Sequence, residues 1–426
     1  MSAIATFVRP WSGAISSQPC PPSATKDVAP APVPRASAAA AAVVAALGAG
    51  ATTARSARRC AARVKRRAHV SRRELLSAAP VAAPLLGLST TADAQTAARL
   101  QVPSFGVGAW AWGDRLFWGY DEKQDLEIRA GFDACIKGGV KLFDTAEIYG
   151  PGRSEELLGQ FLRESGAKDV QVATKFAAFP WKLDRSEVVK ACKGSLERLG
   201  MDSIDIYQIH FPSVWKNEVF WDGLGDCYEQ GLVKAVGVSN YGSSAVRAIS
   251  KTLGERGIPL TSNQIQYSLL YRYPELNGMK ATCDELGVKI LAYSPLALGA
   301  LTGKWSDQAP SGPRGAIAEK LMKDDQWQGL LDAMKDVAGQ HGPETTLSQV
   351  AIAWCIAKGT TPIPGVRNVR QAEDNLRALQ LKLSSSEVEA LDGAAAKVSG
   401  FLTPQDGPFG KFLSESKDTK QRMFDA

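Results

Sequence analysis

From residue 104 onward the chain alternates, eight times over, a short apolar run with an amphipathic stretch, and few folds accept that rhythm. The apolar runs are 104–109, 140–143, 170–174, 204–209, 235–238, 263–267, 289–292 and 361–363. Each is too short for a stable helix, so each is read as a strand. The stretches that repeat apolar residues at helical spacing are 125–137, 154–164, 186–199, 218–230, 245–255, 274–286, 324–340 and 346–358. Strands alternating with helices in this number predict an α/β chain folded as a (β/α)8 barrel. An open doubly wound sheet is the alternative, and it requires a glycine-rich turn feeding a helix. The single match, Gly106-Val107-Gly108-Ala109-Trp110-Ala111, runs into Trp112-Gly113-Asp114 instead. Its glycines are therefore read as close backbone approach at the first strand.

The 426 residues include 50 Lys+Arg and 44 Asp+Glu, but the excess is local. Residues 1–94 hold 12 basic and 3 acidic side chains, and the remaining 332 hold 38 and 41. The body thus lacks the bulk charge that would suit nucleic acid or an anionic membrane. It also lacks the apolar run of about 18–20 residues that a bilayer span requires. The leading stretch is rich in Ala, Ser, Pro and Arg and nearly free of acid, the composition of an organelle transit peptide. Within it, Arg72-Arg73 precede the apolar 78–88 and Ala92-Asp93-Ala94, the order of a twin-arginine export signal. The expected organisation is a targeting leader over 1–94, a barrel over 95–400 and a tail over 401–426. The mature chain would start near Gln95 in a plastid, the twin arginines pointing to the thylakoid lumen. Cys135, Cys192, Cys227, Cys283 and Cys355 are scattered through the body without a C-x-x-C pair. They read as buried reduced thiols. Only His210 and His341 stand in the body, so no histidine-rich metal site is expected.

The residues at the end of each apolar run carry the chemistry. Asp144 ends the second strand, Lys175 the third and His210 the fourth; Ser239 and Asn240 end the fifth. Gln264 lies on the sixth, Tyr293-Ser294 end the seventh, and the eighth opens into Gly365-Val366-Arg367. In a parallel barrel these ends converge on one face, where sites are built. Solvated loops are the alternative for any one of them. Three titratable groups at successive strand ends favour a site. Tyr149, five residues beyond Asp144, can return over that mouth. A phenol near pKa 10 is a poor acid at neutral pH unless a neighbouring ammonium favours its phenolate. Lys175 is placed to do that, with Asp144 keeping the buried lysine charged. With His210 donating to the same oxygen, the group suits carbonyl reduction, where negative charge grows on oxygen.

These segments resemble the aldo-keto reductase family. The resemblance runs in order through Phe143-Asp144-Thr145-Ala146-Glu147-Ile148-Tyr149-Gly150, Thr174-Lys175, Ile209-His210, Gly237-Val238-Ser239-Asn240, Gln264, Ala292-Tyr293-Ser294-Pro295-Leu296 and Ile363-Pro364-Gly365-Val366-Arg367-Asn368, spanning roughly 104–395. It implies a (β/α)8 barrel and NADPH-dependent reduction of an aldehyde or ketone, an alcohol dehydrogenase chemistry run toward the alcohol. Tyr149 would be the general acid, Asp144 and Lys175 would tune it, and His210 would orient the carbonyl. Ser239, Asn240 and Gln264 would hold the nicotinamide carboxamide and Tyr293 would stack on its ring. Ser294 would also bind the coenzyme, and Leu296 and the loop through Gly303 would pass over the pyrophosphate. Gly365, Arg367, Gln371 and Asn375 would take the adenosine 2′-phosphate and adenine, which favours NADPH over NADH. An NADPH-rich stroma suits that coenzyme; a lumenal address does not. The N-terminal hairpin that plugs the barrel bottom in many relatives has little sequence to form it here. Trp110, Trp112, Trp118, Phe179, Trp181 and Phe211 lie just beyond strand ends and are candidates to wall the substrate pocket. The family also implies an alternative: a cofactor-binding regulatory subunit like those of potassium channels.

Overall fold

The computed structural model describes residues 99–398 apart from 214, 215, 307 and 311. The proposed leader and tail lie outside the described residues. Eight parallel strands form one sheet in sequence order. They are β1 (Val107–Gly108), β2 (Leu142–Asp144), β3 (Gln171–Phe176), β4 (Ile204–Ile209), β5 (Val233–Ser239), β6 (Leu260–Gln266), β7 (Lys289–Tyr293) and β8 (Thr361–Pro362). The sheet nearly closes on itself. Gly106 N–H donates to Pro362 O at 3.1 Å and Gly108 N–H to Pro364 O at 3.0 Å, with a further bridge between Gly108 and Gly365. A Cβ on Gly108 would stand 2.9 Å from Ile363 O, so only glycine lets this seam shut.

Each strand sorts its residues by alternation. The outward set, including Phe143, Val172, Phe176, Tyr207, Ile209, Val236 and Val238, joins the helices in one large apolar cluster. The inward set begins with Leu142, Ala173, Ile206, Ala235, Leu291 and Ile363, a separate cluster that forms the barrel floor. Leu100 and Val102 pack against that floor, so the segment before β1 covers the bottom. Two residues further along, the inward positions of β2, β3 and β4 turn polar at Asp144, Lys175 and Gln208, and Gln264 of β6 joins them, all buried.

Helices α1 (Asp125–Lys137), α2 (Arg153–Ser165), α3 (Arg185–Leu199), α4 (Asn217–Glu229), α5 (Ser243–Gly254) and α6 (Met279–Leu286) come after β1 to β6 in turn. The predicted helix over 274–286 is interrupted: a single turn, Tyr273–Leu276, precedes α6, and Gly278 separates them at φ 77°. The Asp184 carboxylate accepts from Ser186 N–H at the start of α3, and Gly200 ends it at φ 65°. After β7 come α7 (Gly315–Leu321), α8 (Asp325–Gln340) and α9 (Leu347–Ala357); after β8 come α10 (Val369–Arg377) and α11 (Ser385–Ala395). Trp327, Leu330, Leu331 and Met334 of α8, Trp354 of α9 and Leu391 of α11 share a second apolar cluster, which anchors the long β7–β8 connection beside the barrel mouth.

Candidate functional site

At the C-terminal ends of the strands lies a cavity of about 600 Å³, within the range of small-molecule sites. Its floor is the polar layer. Lys175 Nζ donates to Asp144 Oδ1 and to Thr145 O, both at 2.6 Å, and to Tyr149 Oη at 3.3 Å. Asp144 Oδ2 accepts from Gln264 Nε2 at 2.7 Å and Gln208 Nε2 at 3.4 Å. Burial works against the charge of each partner, pushing Asp144 up and Lys175 down, and each is opposed by the other's charge. A buried ion pair with this many added hydrogen bonds keeps its geometry, and breaking it is costly. Period-2 reading of β4, with Gln208 two residues before His210, was the available signal for Gln208, which sequence reasoning missed.

Tyr149, Asp144 and His210 all line the cavity. The Tyr149 and His210 rings meet edge-on with centroids 5.6 Å apart. The expectation that Lys175 would draw the phenol below its ordinary range is not met. Burial raises it, and the charge of Asp144 adds to that. The phenol therefore stays protonated. Burial, with the Lys175 charge behind it, also holds His210 well below its usual range, so the imidazole is neutral. The mouth thus presents a protonated phenol and a neutral imidazole.

Beyond them lies a polar ledge. Asn240 Nδ2 donates to His210 O and Ser239 Oγ, both at 3.1 Å, and its Oδ1 accepts from Tyr293 Oη at 3.0 Å. Ser239 Oγ donates to Gln264 O at 2.8 Å. Asn240 and Ser294 sit at φ 61° and 50°, conformations that L side chains other than Asn and Asp seldom adopt. The strain at Ser294, at the end of β7, is held by surrounding structure, and such strain is concentrated where ligands bind.

The far end is cationic. Lys304, Arg314, Arg367 and Arg370 line it, and none is within salt-bridge distance of a carboxylate among the described residues. Burial lowers both Lys304 and Arg314, and the neighbouring arginines push the same way. Asp374 also lines this end and favours the Lys304 charge, but four cations against one carboxylate converging on a cleft form an anion site. Asn368 caps α10 by accepting from Gln371 N–H, while Gln371 Oε1 accepts from Arg367 N–H at 2.8 Å, fixing the Arg367 loop. Asn375 Nδ2 donates to Gly365 O at 3.4 Å. Gly365, Arg367, Gln371, Asn375, Ser294 and Leu296 line the cavity. Gly303 does not: at φ 76° it ends the short helix Ala297–Thr302, and its neighbours Thr302 and Lys304 face the space. Lys304 and Arg314 went unread because the Gly- and Pro-rich loop after β7 shows no periodicity.

The aromatic residues divide. Trp110 and Trp118 line the cavity, with Trp110 6.1 Å from Tyr149 and 5.5 Å from Trp118, centroid to centroid. Trp112 does not. It is fully buried against Phe132, Phe143 and Phe161, and its indole N–H donates to Val366 O at 2.6 Å, which ties the β1 loop to the β8 loop. Phe211 is buried in the layer between strands and helices, and Phe179 stacks on Trp181 at 4.6 Å; neither reaches the cavity lining.

A model of the aldo/keto reductase family matches residues 104–396. The chain is 46% identical over 310 residues to a protein of Arabidopsis thaliana named pyridoxal reductase, chloroplastic, covering 70% of this chain and 84% of the relative. It is 31% identical over 322 residues to an aldo-keto reductase of Schizosaccharomyces pombe whose name carries NADP(+), covering 71% and 92%. An aldo-keto reductase of Klebsiella pneumoniae solved in complex with NADPH is similar at a TM-score of 0.57 and 25% identity, covering 71% of this chain and 94% of that one.

Proposed function

Because the chain belongs to the aldo/keto reductase family, we propose that it uses NADPH to reduce a small aromatic aldehyde to its alcohol, with Tyr149 as proton donor. The observation that carries this reading is the convergence of Tyr149, His210 and the Lys175–Asp144 pair at one cavity whose other end gathers four cations. Those residues fit the coenzyme. Lys304, Arg314, Arg367 and Arg370 would meet its phosphates, and Ser239, Asn240 and Gln264 its carboxamide. NADPH, when bound, supplies the hydride.

The rest is the work of this chain. His210 and Tyr149 hold the carbonyl oxygen between them, which polarises the bond. As the carbonyl carbon gains the hydride, the oxygen gains negative charge and takes the phenolic proton. Lys175 Nζ, already 3.3 Å from Tyr149 Oη, then faces a phenolate and stabilises it. The proton thus moves from Tyr149 Oη to the substrate oxygen, and the ammonium that failed to ionise the resting phenol acts on its conjugate base. Trp110 and Trp118 supply flat apolar walls suited to an aromatic ring.

The test is NADPH oxidation by the purified protein across small aromatic aldehydes, with pyridoxal first because of the relative named for it. Tight NADPH binding with no turnover on any of them would sink the enzyme reading in favour of a redox-sensing subunit. The relative named chloroplastic and the acid-poor leader support a plastid location. N-terminal sequencing from isolated plastids checks it. A start near Gln95 fits removal of a leader that includes the twin arginines, a start before Arg72 fits retention in the stroma, and an intact Met1 refutes targeting.

A further inference from the structure

We propose that Asp114 reads the charge of the carbonyl substrate, admitting neutral or cationic aldehydes and turning away anionic ones. This rests on the reductase reading and adds the substrate's charge class to it. Asp114 lines the cavity from the β1 loop, on the same stretch as Trp110. One carboxylate oxygen, Oδ1, accepts from Phe117 N–H at 2.8 Å. That turn sets Phe117 flat against Trp110, with ring centroids 4.9 Å apart. No lysine or arginine of the described residues forms a salt bridge with Asp114. Its charge therefore stays uncompensated. After burial, Asp144 and Tyr293, it is among the influences that raise the Tyr149 phenol, so its field reaches the reacting end of the cleft.

The other charges around this end do not offset it. Asp144 is matched by Lys175. The guanidiniums of Arg314 and Arg367 stand 5.0 Å and 5.8 Å from the Trp118 ring, and they would hold the coenzyme phosphates. A substrate ring beside Trp110 is left with one net carboxylate for company. Carboxylate to carboxylate at about 6–8 Å, through an intermediate dielectric, costs an anionic substrate about 5- to 50-fold in kcat/KM. A hydroxyl or ring N–H in the same place gains an acceptor.

Asp114→Asn separates this role from turn formation, because the amide oxygen still accepts from Phe117 N–H. The holoenzyme is assayed with NADPH on 4-carboxybenzaldehyde and on its methyl ester. Wild type is expected to favour the ester by about 5- to 50-fold, Asp114→Asn to bring the pair within about twofold, and Asp114→Glu to restore the preference. An equal rate for both in wild type, a preference for the acid, or a preference that survives Asp114→Asn overturns the inference while leaving the reductase reading standing. Absence of turnover on the ester itself counts against both.

Discussion

Replacing Lys175 by Met tests the buried pair from two sides. The lysine is fully buried, and its ammonium serves Asp144 Oδ1, Thr145 O and Tyr149 Oη. Methionine fills much the same space but leaves the Asp144 carboxylate with two amide donors, Gln264 and Gln208, and no countercharge. Breaking a buried pair by removing one member costs about 3–5 kcal/mol, most of it the stranded charge. Adding Asp144→Asn removes that charge, so the double variant should recover to within about 1–2 kcal/mol of wild type. Asp144→Asn alone should also destabilise, because it strands the Lys175 ammonium, so in a double-mutant cycle measured by urea unfolding the double variant should lose far less than the sum of the two single losses. Activity should not recover. With no ammonium to meet the phenolate, kcat should fall by about 10²–10⁴-fold in both the single and the double variant. Two results would refute the reasoning. Additive destabilisation would show that the pair does not interact as an ion pair. A Lys175→Met protein as stable as wild type would show that Asp144 is already neutral in the native state.

The same geometry sets three further outcomes. Tyr149→Phe should bind NADPH as wild type does, by fluorescence titration, yet lose on the order of 10³ in kcat; activity within a few-fold would place the proton donor elsewhere. Reduction requires neutral His210, whose range is lowered, and protonated Tyr149, whose range is raised. The kcat profile should therefore be flat between their ordinary values of 6.5 and 10.0, and a limb inside that window counts against the roles assigned. Arg367→Ala should weaken NADPH by about 10- to 150-fold while leaving NADH nearly unchanged, and raising salt should narrow the gap between the coenzymes in wild type; equal wild-type affinity for the two coenzymes would contradict the phosphate role.

The alternation along the chain favoured the barrel over an open doubly wound sheet, because eight short apolar runs are separated by stretches that repeat at helical spacing and no glycine-rich turn feeds a helix. Helix α1 was legible to the residue, since first-turn acids, apolar periodicity and the terminal Gly138 agree there, and β4 likewise as a short apolar run. The sequence also placed Asp144, Lys175 and His210 at successive strand ends, and parallel topology brings such ends together whatever the details. Direction within a loop was not legible. Trp110 and Trp112 stand two residues apart in the same loop, yet one faces the cavity and the other is sealed behind β2 by a hydrogen bond to Val366, 254 positions away. The anion site was half legible for the same reason. Arg367 belongs to a recognisable strand exit, whereas Lys304 and Arg314 arrive on a loop whose course is set by the apolar cluster of α8, α9 and α11. The protonation states were decided last and only by the fold. Lys175 lies 3.3 Å from the Tyr149 oxygen, yet burial and, after it, the Asp144 charge raise the phenol. Desolvation is a property of the assembled interior, and no local spacing records it.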